Sequence, residues 1–283
     1  MNDTLIIGTR KSKLALRQTE LAVNEIKKHF PSLKCEIVYL QTKGDLSLDK
    51  PVSQLGGKGV FVDEFHDRIL SGEIDIAVHS AKDLPAEFPQ GVTVGAVLER
   101  EDPRDVLIAL NNEALNGNFT VGTGSLRREY QIKELYPDCV VKSLRGNVDT
   151  RLNKLLSGEY DAILLAKAGL NRLGVDLSKF YVKTFSVREF VPAACTGIIA
   201  LECACSGKAQ KYLQEVNNTS AYESYLTERE FLKTMNCDCH SAVGVNTDGG
   251  EITAWYEGRK ITSPLTVNIK EQLRKMKKEF LNE

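Results

Sequence analysis

Residues 4–30, TLIIGTRKSKLALRQTELAVNEIKKHF, decide the fold. The stretch opens on a short apolar run, Thr4 to Ile7, and turns at Gly8-Thr9-Arg10. It then places Ala15, Thr19, Ala22, Ile26 and Phe30 at spacings of three and four. The run reads as a strand, and the spacing that follows lays one stripe of a helix, begun at Ser12, against a sheet. Past Pro31 the pattern repeats. A second strand is predicted from Cys35 to Leu40, a helical stretch from Val62 to Leu70, a turn at Ser71-Gly72 and a third strand from Ile74 to His79. Strands and helices in alternation imply an α/β fold with mixed, mainly parallel sheets.

Further along, Glu101-Asp102-Pro103-Arg104 breaks the periodicity and marks a domain crossing. Strands at Val106 to Leu110, Thr120 to Gly122, Val140 to Leu144 and Ala162 to Ala166 then alternate with helices at Leu126 to Leu135 and Val148 to Leu156, a second α/β unit of similar size. From Tyr222 the composition changes. A charged helix (Glu223 to Lys233), a Cys- and Gly-rich turn, strands near Ile252 to Tyr256 and Leu265 to Ile269, and an amphipathic helix from Lys270 to Phe280 predict a small α+β domain. Tandem short-period repeats and low-complexity tracts are absent from the sequence.

With 283 residues, 42% of them hydrophobic and 27% charged, the chain can bury two or three cores. Its net charge of -1 gives no global attraction to nucleic acid or to an anionic membrane, so any anion-binding surface is local. The N-terminus lacks the order of a signal peptide, and no apolar stretch approaches the roughly 20 residues of a membrane span. A cytoplasmic protein is expected. Seven cysteines, an odd count, argue for reduced thiols rather than a disulfide framework.

Four constellations carry chemistry. Basic and hydroxyl residues gather where strands hand over to helices: Thr9-Arg10-Lys11-Ser12, Thr123-Gly124-Ser125-Leu126-Arg127-Arg128, and Arg145-Gly146-Asn147 through Arg151. Helix N-termini offer free N–H groups, and the planar fork of arginine matches a carboxylate, so the set suggests a polyanionic ligand; singly, each arginine also fits a solvated helix face. The stretch lacks a GxxxxGK[ST] phosphate loop. Asp75 to Pro85, DIAVHSAKDLP, delivers Ser80, Lys82 and Asp83 to the end of a buried strand, where a carboxylate beside a lysine holds a developing cation or shuttles a proton; a plain surface turn is the other reading. Leu55 to Phe61, LGGKGVF, sets Lys58 in a glycine-rich segment able to cover a ligand, or simply in a loop. Cys237-Asp238-Cys239-His240, with Cys203-Ala204-Cys205 upstream, offers either a zinc site of unusual CxC spacing or a nucleophilic cysteine with a permanent attachment.

The order TRKSKLAL, TKGD (Thr42 to Asp45), GGKGVF, DIAVHSAKDLP, EREDPRD (Glu99 to Asp105), VGTGSLRR, SLRGNVDTRL and EYDAILLAKAGLNRLG (Glu159 to Gly174), followed by a late cysteine, resembles the porphobilinogen deaminase (hydroxymethylbilane synthase) family over nearly the whole chain. The resemblance implies two periplasmic-binding-protein-like lobes joined by two crossings: residues 1–97 with 193–217, and residues 98–192. A small α+β domain, 218–283, would carry the cofactor cysteine. It implies a transferase that joins four porphobilinogen molecules head to tail with loss of ammonia, for tetrapyrrole and haem biosynthesis, acting as a monomer without metal, nucleic acid or membrane. Asp83 then matches the catalytic carboxylate, and Cys239 the thioether attachment of a dipyrromethane cofactor that primes the chain. Arg10, Ser12, Lys58, Ser80, Lys82, Thr123, Ser125, Arg127, Arg128, Arg145, Gly146, Arg151, Ala168 and Thr196 match positions that bind cofactor or substrate.

Some positions depart from the family pattern. Thr196 replaces a glutamine near the cofactor, Cys237 places a second thiol two residues before Cys239, Gln54 stands where lysine is common and Gly124 where serine is common, and the last domain is short. Two rivals remain: an inactive family relative, and a small-anion binding protein of the same two-lobed fold.

Overall fold

The computed structural model describes residues 4–40, 63–85, 87–237 and 241–282. In chain order the elements are β1 (Thr4–Arg10), α1 (Lys13–His29), β2 (Lys34–Leu40), α2 (Asp63–Leu70), β3 (Ile76–Ser80), a 3₁₀ turn (Ala81–Asp83), β4 (Val92–Val97), β5 (Asp105–Ala109), β6 (Thr120–Gly122), α3 (Leu126–Leu135), β7 (Val140–Lys142), α4 (Val148–Leu156), β8 (Ala162–Ala166), α5 (Lys167–Leu173), β9 (Tyr181–Thr184), β10 (Ile199–Ala204), α6 (Gln210–Val216), α7 (Thr219–Met235), β11 (Val243–Asp248), β12 (Glu251–Tyr256), β13 (Arg259–Pro264) and α8 (Ile269–Leu281).

The chain divides into two compact units, residues 1–101 with 198–225, and residues 102–197 with 226–283. The first is built on a five-stranded sheet of order β2-β1-β3-β10-β4. β1 runs parallel to β2 and β3, while β10 runs antiparallel to both β3 and β4, so one strand opposes the other four. Ser12 starts α1 by accepting the Ala15 N–H at 3.2 Å, and Lys27, Lys28 and His29 meet the negative end of its dipole. Ala22 and Ile26 of α1 and Leu213 of α6 pack with Leu5, Ile7, Val78 and Leu201 on one sheet face; Phe65 and Ile69 of α2 pack with Ala77 on the other. Each such buried aliphatic or aromatic contributes about 1.5–3 kcal/mol, well above a surface ion pair at about 0–1 kcal/mol, so these faces hold the unit together.

The second unit repeats the plan. Its sheet runs β7-β6-β8-β5-β9, with β6 parallel to β7 and β8, and β5 antiparallel to β8 and β9. Ile132 of α3 covers one face beside Phe185 and Phe190; Leu152 and Leu155 of α4 cover the other. The same unit holds the three-stranded sheet β11-β12-β13 and α8. Trp255 on β12 is fully buried, and its Nε1–H donates to Glu134 of α3 at 3.1 Å.

One expected strand is corrected. Leu265 to Ile269 alternates like a strand, but the third C-terminal strand is β13, ending at Pro264. Asn268 accepts the Glu271 N–H and donates to the Glu271 carboxylate, a capping arrangement that starts α8 at Ile269. Among the described residues no helix is long and apolar enough to cross a membrane.

Candidate active site

In the first unit, β3 carries four buried residues, Ile76 to His79, and ends at the half-buried Ser80. One 3₁₀ turn follows, and within it Lys82 is half-buried and Asp83 exposed. Leu84, only 1% exposed, plugs the turn from below, its N–H returning to the Ala81 carbonyl at 3.3 Å. The strand thus lifts a lysine and a carboxylate to its carboxyl end. The Ser80 hydroxyl is already engaged, accepting from Gln18 Nε2 at 2.7 Å. Ser12 likewise uses its oxygen to cap α1, while Arg10 closes β1 half-buried. Lys58 of the glycine-rich stretch lies outside the described residues.

In the second unit the predicted binding residues separate into two groups. Arg145 and Arg151 are half-buried around a turn at Gly146, whose φ of +107° and close approach to Thr150 leave no room for a Cβ. Arg151 Nε donates to the Gly146 carbonyl at 2.8 Å, and Asn147 caps α4 by accepting the Thr150 N–H at 2.9 Å. Thr123, buried, accepts the Ser125 N–H at 3.2 Å and shapes the entry to α3.

Arg127 and Arg128 turn inward instead. Both meet the fully buried Asp105 at the start of β5: Arg127 Nη1 lies 2.8 Å from Oδ2, and Arg128 Nη2 lies 2.6 Å from Oδ1. Arg127 Nη1 also donates to the Val191 carbonyl at 2.7 Å, its guanidinium 5.7 Å from the Phe190 ring centre; Arg128 Nη1 donates to the Leu164 carbonyl at 2.9 Å. Burial pushes the Asp105 carboxyl up, but the two guanidiniums outweigh it and hold it below the ordinary carboxylate range. Arg127 keeps one buried Nε–H without a hydrogen-bond partner.

Ala168 is buried near the start of α5 and offers no side-chain donor. Thr196, also buried, donates its hydroxyl to the Ala193 carbonyl at 2.8 Å. The preceding Cys195 adopts a left-handed φ of 60°, and its N–H donates to the buried Glu228 at 2.5 Å; Glu228 also accepts the N–H and hydroxyl of Thr247. Cys237 is buried, with its thiol toward the Met235 carbonyl, whereas Cys239 and His240 lie outside the described residues. Of the upstream pair, Cys203 is buried and its thiol pushed up to about 12 by burial, while Cys205 is exposed.

Sequence reasoning missed Asp105, Glu202 and Glu228 as structural centres. The signal for the first two is an acid set in an otherwise apolar strand, DVLIA and IALECA. Glu228 sits in a charged helix and carries no such mark.

A family model described as the porphobilinogen deaminase dipyromethane cofactor binding domain matches residues 5–247. Porphobilinogen deaminase of Acetivibrio thermocellus is 43% identical over 236 residues, covering 83% of this chain and 80% of that one. The enzyme of that name from Rickettsia typhi is 41% identical over 248 residues, covering 86% and 83%. Among solved structures, a probable amino-acid ABC transporter extracellular-binding protein from Bacillus subtilis aligns with a TM-score of 0.44 at 14% identity, covering 82% of this chain and 97% of that one. The two five-stranded sheets of one plan and the curated relatives define the class, an α/β enzyme. The chain belongs to the porphobilinogen deaminase family.

Proposed function

We propose that this chain condenses four porphobilinogen molecules head to tail, releasing ammonia from each, to give hydroxymethylbilane. The observation that carries the reading is the exposed Asp83 carboxylate, beside Lys82, at the carboxyl end of a buried strand. Loss of ammonia leaves positive charge spread over the substrate pyrrole, and a fixed carboxylate stabilises that charge. The same carboxylate takes the proton that leaves the pyrrole carbon when the new bond has formed. Such general acid–base participation contributes about 10²–10⁴-fold in rate.

The donor set of the second unit fits a group rich in carboxylates. Arg145 and Arg151 frame a glycine turn, Ser125 opens a helix, and Arg127 retains a spare Nε–H. With Arg10, Ser12, Lys58, Ser80, Lys82, Thr123, Arg128, Gly146, Ala168 and Thr196, these residues would hold the side chains of the dipyrromethane and of porphobilinogen. Cys239 would carry the dipyrromethane through a thioether. When bound, that group supplies the free α-carbon on which the chain begins. Arg127 and Arg128 contribute chiefly by stiffening the start of α3, since both guanidiniums already face Asp105.

Three domains are proposed, 1–97 with 193–217, 98–192, and 218–283, in a monomer that works in the cytoplasm without metal, nucleic-acid or membrane partners. The test is turnover: purified protein given porphobilinogen should release ammonia and hydroxymethylbilane. Its intact mass should exceed the chain mass by two pyrrole units, an increment that Cys239→Ser removes. Absence of both product and increment would return the chain to the anion-binding or inactive reading.

A further inference from the structure

Behind the Asp83 turn lies a buried polar cluster that the chemistry above does not use. Glu202, on β10, is fully buried. Its Oε1 lies 2.8 Å from His66 Nε2 on α2, and its Oε2 lies 3.0 Å from His79 Nε2 on β3. Both imidazoles are buried as well, with Phe65 edge-on to His79 at 4.9 Å and Phe88 edge-on to His66 at 6.1 Å. An ionised carboxylate only accepts hydrogen bonds, so the His79 Nε2 bonded to it carries a hydrogen whether or not its ring is charged; His66 Nε2 lies close to Oε1 without hydrogen-bond alignment. Burial pushes the Glu202 carboxyl up, yet the two imidazoles outweigh burial and hold it below the ordinary carboxylate range.

Packing alone gives no reason for this acid. The apolar faces of the sheet are filled on both sides, and a buried ionic group exchanged for apolar ones of the same volume is often neutral or stabilising. What the cluster does have is a place in a ladder of ties. His79 is held by Glu202, the Ser80 hydroxyl by Gln18 Nε2 at 2.7 Å, and the Ala81 N–H by the Ile198 carbonyl at 2.9 Å. Leu84 anchors the far side. Lys82 and Asp83 therefore project from a turn fixed at both ends, and His79 is the first of its fixed points.

We propose that Glu202 is a positioning residue: gripping His79, with His66 on its other oxygen, it sets the end of β3 and the direction in which Lys82 and Asp83 meet porphobilinogen. The inference rests on the deaminase reading of Asp83. A misdirected reacting group costs up to about a hundredfold in rate per ångström.

The experiment is steady-state kinetics with porphobilinogen on the full chain carrying its adduct, checked by intact mass. Glu202→Gln keeps the volume but leaves one imidazole without an acceptor. The expected result is kcat lower by about tenfold or more, KM within about threefold, and the adduct mass unchanged. His79→Gln, whose amide N–H stands near the place of Nε2–H, is expected to retain most of kcat, while His79→Leu falls with Glu202→Gln. Wild-type kcat in Glu202→Gln, or equal loss in the two His79 variants, overturns the proposal. If Glu202→Gln does not fold, the two His79 variants decide by the same criterion, and failure of His79→Leu to fold as well assigns the cluster to stability and overturns positioning. A wild-type protein without turnover overturns the deaminase reading instead.

Discussion

Each five-stranded sheet sets one fully buried carboxylate on its reversed strand, Glu202 on β10 in the first unit and Asp105 on β5 in the second. Each acid is bracketed by two basic side chains, and there the likeness ends. Glu202 is met by two imidazoles, His79 in hydrogen-bond geometry and His66 in close contact, and an imidazole can be neutral and still donate. Asp105 is met by two guanidiniums, which stay charged whatever the acid does. Without its acid the first arrangement keeps groups that can be neutral, whereas the second would be left with two buried cations. One plan of sheet thus supports an anchor of donors that can be neutral beneath the Asp83 turn and an anchor of fixed charge beneath a helix entry.

The comparison is sharpened most by Asp83→Asn. With the proposed carboxylate gone, turnover should fall about 10²–10⁴-fold, while urea unfolding stays within about 0.5 kcal/mol since Asp83 is exposed. Near-normal hydroxymethylbilane production would remove the proposed role.

Asp105→Asn should cost about 3–5 kcal/mol in urea unfolding, the range for breaking a buried ion pair from one side. Glu202→Gln should cost about 1–3 kcal/mol, the range for a buried hydrogen bond left unmade. Equal costs at the two sites would mean that the imidazoles are as fixed in charge as the guanidiniums, and the contrast would collapse.

Arg145→Leu and Arg127→Leu should separate along the same line. Arg145, half-buried at its glycine turn, should raise KM for porphobilinogen by about tenfold or block adduct formation, with little change in stability. Arg127→Leu should act mainly on unfolding, since its guanidinium holds Asp105 and the Val191 carbonyl. Unchanged kinetics in Arg145→Leu would count against the carboxylate-binding turn.

The smallest effect belongs to a surface counterpart. The Asp102 carboxyl is held down to about 2, below its ordinary 3.8, by the Arg104 fork and then Lys167 against the opposing pull of burial. A depressed acid stabilises the fold above its unfolded value, so the contribution is complete above pH 3.8 and fades as pH falls toward 2. Arg104 is 40% exposed, and solvent screening reduces the pair to under about 1 kcal/mol. Acid unfolding of Asp102→Asn should differ from wild type by no more than that; a larger difference would make the surface pair a structural anchor too.

Much of the α/β alternation was legible because apolar period is local information: α1, α3, α4, β6 and β8 begin and end where their own residues say. β10 was not legible as a strand. Its partners β3 and β4 lie about a hundred residues earlier, and Glu202 interrupts its apolar run. Strand-like alternation from Leu265 misleads because Asn268, inside the stretch, caps the helix that starts at Ile269. The Asp83 motif was readable, since Ser80, Lys82 and Asp83 do end a buried strand. A place at a helix start and the family resemblance mark Arg127 and Arg128 as ligand donors. Their long side chains reach back to Asp105, twenty-odd residues earlier, and no spacing rule carries that.

The reversed strand also orders events during synthesis. β5 precedes its neighbours, so the second unit's five-stranded sheet is complete once Thr184 has emerged. β10 follows, ending at Ala204, and until it is made β4 lacks the one partner it pairs with among the described strands, and Glu202 does not yet exist to meet His66 and His79. The half of the chain translated first is therefore the half whose sheet is completed last, its β3 and β4 joined by a strand made a hundred or so residues later.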